Sequence, residues 1–248
     1  MKPLGPIPPG YEAIGGELAV GGRTSSELVA EAGGTPLFVY STELIRRRVA
    51  LLRTAMPERL RIHYAVKANP YRPLLELMRD LVDGFDIASL GELEIGLAAG
   101  QNPALVSFAG PGKRDAELEA AIRLGVTVNL ESEGEARRAL AIADRLGVVP
   151  RLAIRANPDF ELRGSGMKMG GGAKPFGVDA ERVPALAREV IAAGADWRGL
   201  HIFAGSQALD AAAVAEMQGK VLALAARLAC FPQIPLHARD APKLDPPR

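Results

Sequence analysis

The chain has 248 residues, about half of them hydrophobic, which is enough for one large core or two small ones. Thirty Lys and Arg against 29 Asp and Glu leave a net charge of +1, which argues against electrostatic binding to nucleic acid or to a membrane surface. The single Cys230 excludes an internal disulfide framework and a cysteine-based zinc site, no stretch approaches the length of a membrane span, and residues 1–9 lack a signal-peptide core, so a cytoplasmic protein is expected.

Residues 1–23 are rich in Pro and Gly, with a short strand expected at 18–20. Thr24-Ser25-Ser26-Glu27 is a capping-box pattern that opens a helix to about Ala32, ended by Gly33-Gly34. Residues 36–40 read as a strand, and a helix over 42–54 stops before Pro57. A regular alternation follows, with strands at 61–68, 84–88, 105–109, 126–131, 151–156 and 199–204. Helices are expected at 73–82, 90–99, 115–124, 133–146, 180–193 and 209–229. Two more capping boxes, Ser89-x-x-Glu92 and Ser132-x-x-Glu135, sit where a strand hands over to a helix.

Six successive βα units imply a parallel sheet with right-handed crossovers. An open doubly wound sheet and a barrel both satisfy that count, and parity along the strands separates them. Ile62, Tyr64 and Val66 share one face of the first strand, and His63, Ala65, Lys67 and Asn69 the other. In the sixth, Leu200, Ile202 and Ala204 oppose His201, Phe203 and Gly205. Most strands thus show one apolar face and one face with polar groups near the C-terminal end. A barrel explains this: helices cover the first face and the second lines the axis and its mouth.

The polar residues gathered at the strand ends are Lys67, Asn69, Asp86, Asn129, Glu131, Arg155, Asn157, His201 and Ser206. An amine in such a pocket can form a Schiff base with an aldehyde, and pyridoxal phosphate is the common partner for one. A structural ring of ion pairs accounts for the same residues equally well. The run Gly164-Ser165-Gly166-Met167-Lys168-Met169-Gly170-Gly171-Gly172-Ala173-Lys174 matches neither phosphate-loop motif and reads as an active-site flap. His63 lies deeper than Lys67 and reads as a core residue, and Cys230 as structural.

His63-Tyr64-Ala65-Val66-Lys67-Ala68-Asn69-Pro70 resembles the cofactor-lysine motif of the fold-type III pyridoxal-phosphate decarboxylases, the ornithine/diaminopimelate/arginine group. Gly84-Phe85-Asp86-Ile87-Ala88-Ser89, Phe108-Ala109-Gly110-Pro111-Gly112-Lys113, Asn129-Leu130-Glu131-Ser132, Arg155-Ala156-Asn157-Pro158 and Gly205-Ser206-Gln207 follow in the family's order. The resemblance covers residues 15–230. Residues 160–170 and 201–206 look most like the members associated with exosortase A systems, which are linked to exopolysaccharide production. The resemblance implies a pyridoxal 5'-phosphate-binding (β/α)8 barrel of the alanine racemase type. It also implies a small-molecule amino-acid substrate, α-decarboxylation and a homodimer. Carried over, Lys67 holds the cofactor as a Schiff base, Ser206 donates to its phosphate and Arg155 lies beside its ring. Asp86 and Glu92 help hold the lysine region. Alanine racemases share the barrel, but Pro70-Tyr71-Arg72-Pro73 favours the decarboxylase side.

In most of the family a histidine two residues before the Gly-Ser pair stacks on the cofactor ring. Phe203 stands there, and His201 lies one step further from the mouth on the same face. The flap's Lys-Phe-Gly is interrupted, as Lys174-Pro175-Phe176-Gly177. A barrel needs eight strands, whereas six are expected here, and residues 231–248 are Pro-rich with no strand pattern. The expected organisation is an N-terminal segment (1–56), an incomplete barrel of about six βα units (57–230), a tail (231–248), and no C-terminal β-domain. This leads to the expectation of a truncated chain with impaired activity, a non-catalytic cofactor-binding remnant and an amino-acid racemase being the alternative readings.

Overall fold

In the computed structural model, residues 7, 10–160, 167–168, 175–206 and 210–229 are described. Two compact units divide the chain: residues 1–62 with 80–82, and residues 63–79 with 83–248.

The first unit holds a small antiparallel sheet of β1 (Glu12–Ile14), β2 (Glu17–Val20) and β3 (Arg23–Thr24). Helix α1 (Ser25–Ala32) starts on the full capping box, with Thr24 Oγ1 accepting from Glu27 N–H while the Glu27 carboxylate accepts from Thr24 N–H. It ends on left-handed Gly33. Helix α2 (Thr42–Ala55) is capped by Ser41. Residues 36–40, expected as a strand, lie in none of the sheets, and Phe38 is 83% exposed. Apolar β-branched and aromatic composition makes a strand only where a neighbouring edge supplies hydrogen bonds.

The second unit alternates strand and helix. Its elements are β4 (His63–Ala65), α3 (Arg72–Leu81, whose last two residues fall in the first unit), β5 (Gly84–Ile87), α4 (Leu90–Ala98), β6 (Val106–Phe108), α5 (Asp115–Leu124), β7 (Thr127–Leu130) and α6 (Glu133–Leu146). They continue as β8 (Arg151–Asn157), β9 (Met167–Lys168), β10 (Val178–Asp179), α7 (Val183–Ala192), β11 (Asp196–Ile202), β12 (Gly205–Ser206) and α8 (Ala211–Ala229). Strands β4, β5, β6, β7, β8 and β11 pair in that order, all parallel, and β10 adds to the C-terminal end of β8. Spatial order follows chain order without reversal. Right-handed crossovers then put every helix on one face, which is the winding of a barrel rather than of a doubly wound sheet.

The helices dock through apolar stripes: Leu118, Ala121 and Ile122 on α5, and Val183, Leu186, Ala187 and Val190 on α7, are buried at helical spacing. Helix α5 packs on β7, and α7 on β8 and β11; the strand residues Phe85, Ile87, Phe108, Val128, Leu130, Leu152 and Ile154 are all essentially without exposure. Strand β11 begins at Asp196 rather than at 199. Its register against β8 shifts between Trp197 and Leu200, where Gly199 at φ +97° supplies a conformation that side chains oppose. Among the described residues no helix is long and apolar enough to cross a membrane.

Candidate active site

Strand β4 is only three residues long, and the chain then turns through a 3-10 segment at Val66–Ala68, closed by Asn69 N–H to Val66 C=O at 3.1 Å. Lys67 therefore stands on this turn and not on the strand. Val66 is fully buried, while Lys67 is exposed to the space above the strand ends. The turn arises because Pro70 restricts the residue before it, and Asn69 Oδ1 accepts from Tyr71 N–H at 3.0 Å. Asn69 is thus used in the turn.

A cavity of about 740 Å³ opens here, a size that suits a small ligand. Lys67, Asp86, Arg155, His201 and Phe203 line it, together with Phe176 and residues 108–113. Ala65 pairs with Asp86, and Asp86 with Ser107, so the carboxylate sits on the strand beside the lysine turn. Ser107 hydrogen-bonds Asp86, and Asn129 Nδ2 donates to Ser107 Oγ at 2.7 Å. Lys67 makes no hydrogen bond or salt bridge among the described residues, and its Nζ lies 5.9 Å from the centre of the Phe203 ring. Phe203 and Phe176 both face the Arg155 guanidinium, at 6.0 and 5.0 Å.

Beneath the cavity lie two buried ion pairs. Arg155 Nη1 donates to both Glu131 oxygens, at 2.9 and 3.1 Å. The same carboxylate accepts from Gly110 N–H at 2.5 Å and Gly177 N–H at 3.2 Å. Gly177 is at φ +76°, where a Cβ would press on the Arg155 carbonyl of β8. The second pair joins Lys113 to Glu135 at 2.6 Å; the sequence places one in a family block and the other in a capping box, with nothing local that links them. Lys113 Nζ also donates to Gly110 C=O at 2.7 Å and Asn129 C=O at 2.8 Å, which uses all three of its protons. Gly110 is held from both sides, its N–H by Glu131 and its C=O by Lys113. Among the described residues no group of three His, Cys, Asp or Glu could hold a metal ion.

The two mouth capping boxes are half formed. Ser89 and Ser132 cap their helices, but the glutamates accept from the residue before the cap: Glu92 from Ala88 N–H at 2.9 Å and Glu135 from Glu131 N–H at 3.4 Å. Glu92 thereby fixes the backbone of Ala88, which lines the cavity. Asn157 turns to Asp179, at 3.3 Å. The backbone of Ser206 pairs in β12 with Met167 of β9, so part of the expected flap runs antiparallel to the Gly205-Ser206 pair. The side chain of Ser206, most of the flap including Lys174, Cys230 and the tail lie outside the described residues.

Burial pushes the Asp86 carboxyl up to about 6, with Lys67 opposing the shift and Glu92 adding to it. Burial, reinforced by Arg155, Lys113 and Lys67, pushes His201 down to about 4. The linked effects on stability have opposite signs. The folded state binds the extra proton at Asp86, so that contribution is lost as pH rises from about 4 to 6. The unfolded state binds it at His201, so that contribution grows as pH rises from about 4 to 6.5. Each is worth up to about 3 kcal/mol, and in the wild type they largely offset. Urea unfolding across this range should show Asp86→Asn gaining stability with pH relative to wild type and His201→Asn losing it. Parallel curves would contradict the assignment.

The profile of the pyridoxal-dependent decarboxylases, pyridoxal binding domain, matches residues 42–232, and the chain belongs to this family. It is 37% identical over 233 residues to the diaminopimelate decarboxylase of Aquifex aeolicus, covering 90% of this chain and 54% of that protein. It is 30% identical over 184 residues to an L-glutamyl acyl-carrier-protein decarboxylase of Niallia circulans, covering 73% and 43%. Among solved structures, Helicobacter pylori diaminopimelate decarboxylase complexed with L-lysine superposes with a TM-score of 0.74 at 29% identity, covering 82% of this chain and 53% of that one. The chain spans about half the length of the curated relatives it matches.

Proposed function

We propose that this chain holds pyridoxal 5'-phosphate through a Schiff base on Lys67 and serves α-decarboxylation of an amino acid of the diaminopimelate or ornithine type. The observation that carries the reading is Lys67 itself, an amine at the cavity wall with no hydrogen bond or salt bridge among the described residues, beside Asp86 and facing Phe203. The cavity fits the cofactor. Phe203 offers a flat apolar surface, Arg155 is fixed beside it by Glu131, and the buried Nδ1 of His201 lacks a partner. Ser206, by its place in the Gly-Ser pair, donates to the phosphate. When bound, the cofactor's ring takes up the electron pair left at Cα as carbon dioxide departs.

In this reading Lys67 binds the aldehyde carbon and Asp86 exchanges protons close to it, while the apolar rings of Phe203 and Phe176 exclude water from Arg155. The relatives' names support a diaminopimelate-like substrate. Phe203 and the segments at 160–170 and 201–206 support kinship with the exosortase A-associated members. The reading includes a cytoplasmic location, and the homodimer is what the family resemblance implies. The test is a titration with pyridoxal phosphate followed by visible absorbance. The wild type should develop the Schiff-base band and Lys67→Ala should not. A wild type without the band, or a Lys67→Ala variant that keeps it, contradicts the proposal. Carbon dioxide release from diaminopimelate, ornithine and lysine then separates turnover from binding alone.

A further inference from the structure

Ser107 is polar and half-buried on β6, between the buried apolar Val106 and Phe108. It pairs in register with Asp86 of β5. Its Oγ accepts from Asn129 Nδ2 of β7 at 2.7 Å, and it hydrogen-bonds the Asp86 carboxyl on the other side. Asn129 is buried and held in turn, because its C=O accepts from Lys113 Nζ at 2.8 Å. The three side chains form one line across three neighbouring strands, ending at the carboxyl beside the lysine turn.

Donor counting gives the line a direction. A hydroxyl has one proton and two lone pairs, and an amide nitrogen only donates. With Asn129 donating to it, Ser107 uses a lone pair there and keeps its proton for Asp86. A donor aimed at a buried carboxyl favours the charged form. The other groups bearing on Asp86 are Lys67 from the turn after β4, Arg155 from β8 and Glu92 from α4. The two cations favour the anion, while burial and Glu92 oppose it. Arg155 is already committed to Glu131, so the balance at Asp86 is sensitive to a single added donor.

We propose that Ser107, locked as a donor by Asn129, is a positioning residue for the chemistry at Lys67: it holds Asp86 as a carboxylate beside the amine. This rests on the proposed function. The carboxylate supplies the counter-charge for a nitrogen that bears a proton at Lys67, and a protonated Asp86 does not. Neither Ser107 nor Asn129 lines the cavity, so both act through Asp86.

The first test uses the chain without cofactor. The side-chain carboxyl carbon resonance of Asp86 is identified by its loss in Asp86→Asn and followed against pH. Its midpoint, about 6 in the wild type, should rise by about one pH unit in Ser107→Ala. Ser107→Thr keeps the hydroxyl and should restore it. Asn129→Leu frees the hydroxyl and should raise the midpoint by less. A midpoint that Ser107→Ala leaves unmoved or lowers overturns the inference, a fall meaning that the hydroxyl accepts from a protonated Asp86. Should Ser107→Ala not fold, the sign of the shift in Asn129→Leu decides.

The second test is binding of pyridoxal phosphate, read by the Schiff-base band. Ser107→Ala should bind about threefold more weakly than wild type at about pH 6.5 and equally well at about pH 8.5, following the ionised fraction of Asp86. The same loss at both pH values, as a loosened wall gives, contradicts the inference, and so does equal binding at both. A wild-type chain with no band refutes the Lys67 reading and the inference with it, whereas an Asp86 midpoint that ignores Ser107 refutes the inference alone.

Discussion

Glu131→Ala should destabilise the chain by about 3–5 kcal/mol, a large part of the 5–15 kcal/mol that holds an ordinary domain folded. The substitution leaves the Arg155 guanidinium buried without its carboxylate. It also removes the acceptor of two backbone N–H groups, those of Gly110 and Gly177. One side chain ties together the loop after β6, the end of β8 and the entry to β10, so its loss should loosen the cavity wall as well as the fold. Glu131→Gln keeps an acceptor oxygen and loses the charge, and should fall between the two. Chemical denaturation gives the stability, and cofactor affinity in the surviving folded fraction gives the effect on the wall. A Glu131→Ala variant within 1 kcal/mol of wild type would show that Arg155 does not depend on this pair.

The second large effect belongs to Lys113 and Glu135. Lys113→Met should cost about 3–5 kcal/mol, because Glu135 then remains buried alone and two carbonyls lose their donor. Burial already raises the Glu135 pKa, with Lys113 opposing that shift, so in Lys113→Met the carboxyl should take up a proton at higher pH than in wild type. The double variant Lys113→Met/Glu135→Met should be more stable than either single one, since two apolar groups of similar length leave no unpaired charge. A double-mutant cycle by urea unfolding checks this. Additive losses would mean that the pair is not coupled.

Much of the cavity was legible from the chain alone. Side-chain parity put Asp86, Arg155, His201 and Phe203 on one face near the strand ends, and all four line the cavity. The order of strands without reversal follows from the same βα repeat. Other features depend on contacts that no local pattern reports. Lys67 leaves its strand because a turn, set by Asn69 and Pro70, begins three residues earlier than a strand over 61–68 implies. Glu135 reads as part of a helix capping box, yet its helix starts beneath the cavity and its partner Lys113 is 22 residues away. The available signal was position: Ser132-x-x-Glu135 follows a strand end at the mouth, where a carboxylate meets cations from neighbouring strands. Residues 36–40 have strand composition, but pairing needs a partner edge, and that is not written in five residues.

The central claim is that Lys67 is the amine that holds the cofactor. Its most direct measurement is borohydride reduction of the chain incubated with pyridoxal phosphate, then digestion and mass spectrometry of the peptides. The phosphopyridoxyl group should be found on Lys67 and nowhere else in stoichiometric amount. Label at Lys113 or Lys168, label spread over surface lysines, or no label at Lys67 would contradict it.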